Sequence, residues 1–278
     1  MSAERSPERR VDTSRPSPAR IYDYALGGKD NYAVDREAAQ KVREVFPEAF
    51  HVPLANRLFL VRAVRYCAEQ GIDQFIDIGT GLPTPPNVPE IARKVHPHAR
   101  VVGVDNDPIV LNHNRALVAV GEGLTTIEGD VRDPDQILDN PELRALIDLD
   151  RPVVVLLVAI LHFIRDEADP GGIVARLAER IRPGSYVAIS TTTSTGAPAE
   201  LLDRIEQVYA NATARMIPRP EEQIHTWFDP LSLVEPGVVD LVDWRPQLQE
   251  WVPSPGPLMW PQDLRTDFRM VGGVAQKL

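Results

Sequence analysis

Three aspartates and two glycines carry the chemistry that this sequence offers. In FIDIGTGLPT, residues 75–84, Asp77 is followed closely by Gly79 and Gly81. Glycine in a turn lets a ligand lie against the backbone, where a side chain would stand in the way. Asp105 comes about two dozen positions after Gly81, at the end of ARVVGVD, and Asp130 ends LTTIEGD. A carboxylate in the place of Asp105 can accept hydrogen bonds from both hydroxyls of a ribose, and one in the place of Asp130 can accept from the exocyclic amine of adenine. Any one of these aspartates alone would serve as well as a helix N-cap or a turn residue. Three of them, each at or near the end of an apolar run, point to one pocket for a nucleoside-like ligand.

Charge decides which ligand. A dinucleotide would bring a pyrophosphate to the glycine turn beside Asp77, and like charges at that range in a partly buried site repel. The string also departs from G-x-G-x-x-G, since Thr84 holds the place of the third glycine. A sulfonium and an ammonium suit an aspartate, and S-adenosylmethionine joins both to adenine and ribose. It is the expected cofactor. An NAD-dependent oxidoreductase is the alternative that the charge argument disfavours.

The elements that must position these residues alternate. Five buried strands are expected at residues 75–79, 99–105, 124–130, 152–159 and 185–193, with helices between them, and such βα units assemble into a parallel sheet covered on both faces. Ligands then lie at the carboxyl ends of the strands. The stretch 134–147 reads as one helix, 199–216 as a long amphipathic helix and 220–228 as a shorter one, while VVDLVDWRP and FRMVGGVAQK are candidate final strands and residues 251–261 a loop. Two helices, 35–46 and 54–70, precede the first strand. Ahead of them, PARIYDYALGGKDNYAVD brings Tyr22, Tyr24 and Tyr32 close to Gly28, Asp30 and Asn31, a mixture suited to stacking on a ring and hydrogen-bonding a polar ligand. The expected organisation is a disordered tail at 1–17, an arm with helices covering the cofactor site at 18–70, and a Rossmann-like domain at 71–278.

Composition narrows the partners. The 278 residues carry a net charge of -10, which argues against a nucleic-acid-binding body and for a small-molecule partner. The first twenty residues are rich in Ser, Pro and Arg rather than apolar, and the longest apolar run, 152–164, is too short to span a bilayer, so a cytoplasmic protein is expected, with no membrane contact. The single cysteine, Cys67, leaves no internal disulfide and no cysteine-based metal cage, and no metal site is expected. Oligomeric state is not legible.

Strand spacing and acidic strand ends resemble the class I S-adenosylmethionine-dependent methyltransferases, which implies a mostly parallel sheet of about seven strands with a reversed last strand. More narrowly, PARIYDYALGGKDNYAVDR, FIDIGTGLPTPPNVPEIA, VVGVDNDPIV, IEGDVRDP, AILHFI and LVEPGVV closely resemble an actinobacterial group assigned to these methyltransferases from sequence and structure. The likeness runs from about residue 18 to the C-terminus. It implies that Asp77, Gly79 and Gly81 line the methionine part and that Asp105, followed by Asn106, holds the ribose. It further implies that Asp130 and the backbone at Val131 read adenine, that Ala159 meets the methionine amine, and that Tyr24, Gly28, Asp30 and Asn31 close over the cofactor. Pro83 and Asn106 depart from the broader class, which often has a glycine and an apolar residue there. The acceptor is undefined by the resemblance.

Methyl transfer needs mainly alignment and exclusion of water, with a base for some acceptors only. His162, just after the fourth strand, is the best-placed titratable group for a base, and His51 is a weaker one. H-E-x-x-H, G-x-S-x-G and Walker A strings are absent, as is the Asn-Pro-Pro-aromatic tetrad of amino-group methylation on DNA bases. The expected activity is methyl transfer to a small-molecule acceptor. A protein that binds the cofactor as a sensor or partner-binding module, without turnover, is the alternative from another class.

Overall fold

A computed structural model describes residues 13–251 and 263–278. Its elements in order are α1 (Pro18–Ala25), α2 (Ala33–Val45), α3 (His51–Glu69), β1 (Gln74–Ile78), α4 (Val88–Val95), β2 (Arg100–Asp105), α5 (Pro108–Leu117), β3 (Leu124–Glu128), α6 (Pro134–Leu138), α7 (Pro141–Leu146) and β4 (Val154–Val158). After two short 3-10 turns come α8 (Pro170–Arg180), β5 (Tyr186–Thr192), α9 (Ala199–Tyr209), α10 (Glu221–Thr226), β6 (Ser232–Leu233), β7 (Val239–Asp240) and β8 (Met270–Gln276). The sheet runs β3-β2-β1-β4-β5-β8-β6, with β7 also on β8. The first five strands are parallel, and β8 lies antiparallel to β5. This is a mixed α/β sheet with a reversed last long strand.

Alternation along β1 sorts its side chains between two cores. Ile76 and Ile78 enter the cluster that includes Leu138, Leu177 and Phe228, whereas Phe75 packs with Phe59, Ile91 and Trp244 on the other face. Both faces are covered, so every residue of β1 is buried, including Gln74 and Asp77 beside the apolar Phe75, Ile76 and Ile78. Each such Ile or Phe contributes about 1.5–3 kcal/mol by leaving water. Asp77 shares the face of Phe75 by the same period of two, which sets its carboxylate on the side where α3 packs.

The sequence boundaries moved where tertiary contacts or caps intervene. The helix expected over 134–147 is two, because Asn140 Oδ1 accepts from the N–H groups of Glu142 and Leu143 and Pro141 cannot continue a preceding helix. The long helix expected to 216 ends at Tyr209, where Arg15 takes the carbonyls of Asn211 and Ala212, and Thr213 N–H donates to Pro16 O. VVDLVDWRP supplies only the two residues of β7, after which Asp240 caps a 3-10 turn through Val242 N–H. Of the loop expected at 251–261, Trp251 ends a 3-10 turn and the remainder lies outside the described residues.

Ser17, expected in the tail, is built into the fold. Ser17 is 2% exposed, and its N–H donates to Asp35 Oδ1. Arg20 and Asp35 form a buried ion pair at 2.7 Å, which fastens α1 to α2. A third cluster, with Ile21, Ala39, Phe46, Ile205, Tyr209 and Phe268, then seats this arm against α9 and the segment before β8.

Candidate active site

The strand order reverses between β1 and β4, the place where an open α/β sheet leaves a crevice at its carboxyl edge. A cavity of about 1320 Å³ lies there. Asp77, Gly79, Gly81, Asp105, Asn106, Asp130, Val131, Ala159 and His162 all line it. The sequence therefore brought nine of its site residues to one cavity.

Local chemistry explains how each is held. After β1 the chain turns at Gly79, φ 75°, and Gly81, φ 65°, both in the left-handed region that L side chains avoid. Gly81 N–H donates to Asp105 Oδ2 at 3.0 Å, and Asn114 Nδ2 donates to Gly81 O at 2.7 Å. The turn is thus fixed to β2 and α5. Asp105 Oδ1 accepts from Asp107 N–H, leaving lone pairs on both oxygens toward a ligand. Burial pushes Asp105 up to about 6, against the pull of the N–H groups of Asp107 and Gly81.

Asp77 is 7% exposed and accepts from Thr80 Oγ1 at 2.8 Å. Burial pushes it up to about 6 as well, with Thr80 and the nearby Arg57 pulling the other way. A carboxylate with so little solvation gains from a cationic ligand more than an exposed one would. Asp130 stands two residues beyond β3, and the Arg132 guanidinium holds it at about 2, with Asn106 Nδ2 donating to Oδ2 at 3.2 Å. Its carboxylate is thus shared with Arg132 and Asn106, while the Val131 backbone N–H has no hydrogen-bond partner among the described residues.

Ala159 follows β4 at φ 57°, a left-handed conformation that costs an L residue about 1–2 kcal/mol. Its N–H is held by Ser190 O at 3.1 Å and Ser190 Oγ at 3.0 Å, and Ser190 Oγ in turn donates to Asn56 Oδ1 at 2.6 Å. The network around Ser190 and Asn56 thus holds a strained backbone at the cavity wall.

The arm residues expected to close over the cofactor stand apart from the cavity. Tyr24, Gly28, Asp30 and Asn31 do not line the cavity. Asp30 N–H and Asn31 Nδ2 donate to the buried Asp23 carboxylate, Gly28 packs so closely on Asp23 that a Cβ would collide with it, and Tyr24 accepts from Gln40 and meets Phe50 edge-on. Their polarity satisfies the arm itself. The opposite face of α1 supplies the wall, with Tyr22 lining the cavity while its hydroxyl accepts from Asn56 and donates to Pro53 O. His51 lies outside the cavity, its Nδ1 buried without a partner.

His162 lines the cavity but is 3% exposed, and burial, with Arg219 adding to it, holds it at about 3. Burial thus works against the role of base expected from its place in the chain. Asn56 and Arg57 also line the cavity, beyond the residues the motifs single out. Arg57 lines the cavity and donates to Thr84 O and Pro86 O, bracing the loop after the glycine turn. Both are polar residues inside the apolar helical run LANRLFLV, and that interruption was the available signal.

Parallel strands, a reversed last long strand and a cavity over the switch point define the class I methyltransferase fold. The sequence model of the S-adenosyl methyltransferases matches residues 4–278, and the chain belongs to that family. It is similar to a DUF574 family protein from Streptomyces avermitilis, at 43% identity over 97% of this chain and 100% of that one, with a TM-score of 0.86. It is also similar to a candidate methyltransferase from Thermobifida fusca, at 37% identity over 96% of each chain, with a TM-score of 0.84. No protein of curated function matches it. The chain is an S-adenosylmethionine-dependent methyltransferase. Among the described residues, no helix is long and apolar enough to cross a membrane, and no cluster of His, Cys, Asp and Glu is placed to hold a metal.

Proposed function

We propose that the protein transfers the methyl group to a small molecule bound in the same cavity as the cofactor. The observation that carries this reading is the size and division of the cavity. Its 1320 Å³ exceeds the roughly 300–1000 Å³ of a pocket for one drug-sized ligand. Carboxylates and the glycine turn line one end, and apolar side chains of the arm, α9 and the segment before β8 line the other.

The residues present fit the cofactor by their donor set. Asp105 offers both oxygens to a ribose, Val131 N–H and the Asp130 region face adenine, and Gly79 and Gly81 admit the methionine part without a Cβ in the way. Asp77 pairs with the ammonium, and the strained Ala159 backbone adds a carbonyl for the same group. S-adenosylmethionine supplies an electrophilic methyl on a sulfonium. The chain's own part is to align the acceptor behind that methyl and to keep water out, which the arm does by closing the cavity with α1.

Incubation with methyl-labelled S-adenosylmethionine and a small-molecule extract from a producing cell tests the reading. Label in a low-mass product supports it. Label in protein or nucleic acid contradicts the small-molecule acceptor, and cofactor bound without any transfer contradicts catalysis.

A further inference from the structure

The apolar end of the cavity contains polar groups that cofactor binding leaves unused. Phe46, Phe50, Phe163, Tyr209, Met216 and Phe268 wall it. Among them sit two buried polar residues, His162 and Thr192, at 3% and 1% exposure, and Thr192 Oγ1 has no hydrogen-bond partner. The backbone N–H of Thr192 points at His162 Nδ1 at 3.4 Å, and the Thr191 hydroxyl, 3.4 Å from the same nitrogen, can rotate to donate to it as well. A ring nitrogen that accepts carries no proton, so the neutral imidazole keeps its proton on Nε2. Nε2 has no partner among the described residues, so an N–H donor is left for the cavity that His162 lines.

Charge near this end is positive. Three exposed arginines, Arg15, Arg165 and Arg215, line the cavity, Arg15 while donating to the Asn211 and Ala212 carbonyls, and none of them is in an ion pair among the described residues. Of the lining carboxylates, only Glu167 lies in the same stretches of chain. An anion is therefore the better guest, and the aromatic wall suits a ring.

Building on methyl transfer within this cavity, we propose that the acceptor is a ring-bearing enol or phenol acidic enough to be ionised at neutral pH. His162 positions it by donating from Nε2 to its oxygen. An ionised oxygen has no proton to lose. Its lone pair forms the new O–C bond as the C–S electron pair withdraws onto sulfur, and sulfonium and oxyanion become two neutral groups. Such an acceptor needs no base from the chain.

Protein with nitrogen-15-labelled histidine, free and saturated with S-adenosylhomocysteine, is followed by two-bond proton–nitrogen correlation from about pH 5 to pH 8. One histidine, absent from His162→Gln, should keep the Nε2–H tautomer throughout. A His162 that titrates in this range, or carries its proton on Nδ1, overturns the proposal. The saturated protein is also titrated with 2-hydroxy-1,4-naphthoquinone, an enol ionised at neutral pH, and with its neutral parent 1,4-naphthoquinone. The enolate should bind at least about tenfold more tightly, with that preference reduced several-fold in His162→Leu, where the arginines remain, and kept in His162→Gln. Equal binding, no binding, or a preference unchanged in His162→Leu overturns the proposal. Failure of S-adenosylhomocysteine to bind is a separate result: it overturns the function proposed above, while the tautomer in the free protein still decides what His162 can do.

Discussion

Gly81 and Asp105, 24 positions apart, are joined by one hydrogen bond of 3.0 Å from the Gly81 N–H to Asp105 Oδ2. The glycine turn and the second strand's carboxylate are therefore one unit, and a ligand held by either is registered against both. Asp105→Ala should weaken S-adenosylmethionine binding by about 1–3 kcal/mol, through lost ribose contacts and a loosened turn. Isothermal titration of the variant checks this, and an unchanged affinity would remove Asp105 from the site.

Asp77 and Asp105 are both raised to about 6 by burial, so their protonation is linked to folding and to binding. An unfolded aspartate titrates near about 3.9, so the folded state holds extra protons between about pH 4 and 6. The stability these two groups contribute is full below that window and is lost as pH rises through it. Cofactor affinity should run the other way, since an ammonium needs Asp77 ionised. It should be about tenfold weaker at pH 5 than at pH 7, and Asp77→Asn should flatten the profile. Titrations at both pH values decide it.

The two turn glycines should respond differently to alanine. A Cβ on Gly79 would lie 2.8 Å from Ile160 Cδ1, whereas one on Gly81 would meet nothing within 4 Å. Gly81→Ala should cost about 1–2 kcal/mol of stability from its positive φ alone. Gly79→Ala should cost more, because Ile160 must shift as well. Thermal unfolding of the two variants gives the order, and equal losses would contradict the packing described around Ile160.

How much was legible follows from how local each cause is. Strands β1, β2, β4 and β5 could be read because burial on both faces enriches them in apolar residues, and Asp77 and Asp105 stand within or at the end of such runs. Strand β3, at the sheet edge, was legible mainly from its spacing before Asp130. The arm could not be read in the same way. Tyr22 and Tyr24 are two apart on one helix and so face different ways, and nothing local tells which one meets the cavity. Likewise α9 stops where Arg15, 196 positions earlier, takes its neighbours' carbonyls. His162 reaches the cavity from its position after β4, but burial first, and Arg219 second, make its ring hard to protonate, and only the fold supplies both.

Asn31 separates arm stability from cofactor contact. Its Nδ2 donates to Asp23 Oδ2 at 2.8 Å, and it does not line the cavity. Asn31→Ala should therefore destabilise the protein by about 1–3 kcal/mol by leaving a carboxylate short of a partner. Cofactor affinity in the folded variant should change less than about twofold, under 0.5 kcal/mol on the same scale. Parallel unfolding and calorimetric measurements check both halves, and a large loss of affinity at unchanged stability would return Asn31 to the site.

The central claim is that the strand-end carboxylates select S-adenosylmethionine over a dinucleotide, and calorimetric titration of the purified protein with S-adenosylmethionine, S-adenosylhomocysteine and NAD tests it most directly. The account predicts binding of the first two, weakened in Asp105→Ala, and none of NAD. Binding of NAD alone, or of none of the three, would contradict it.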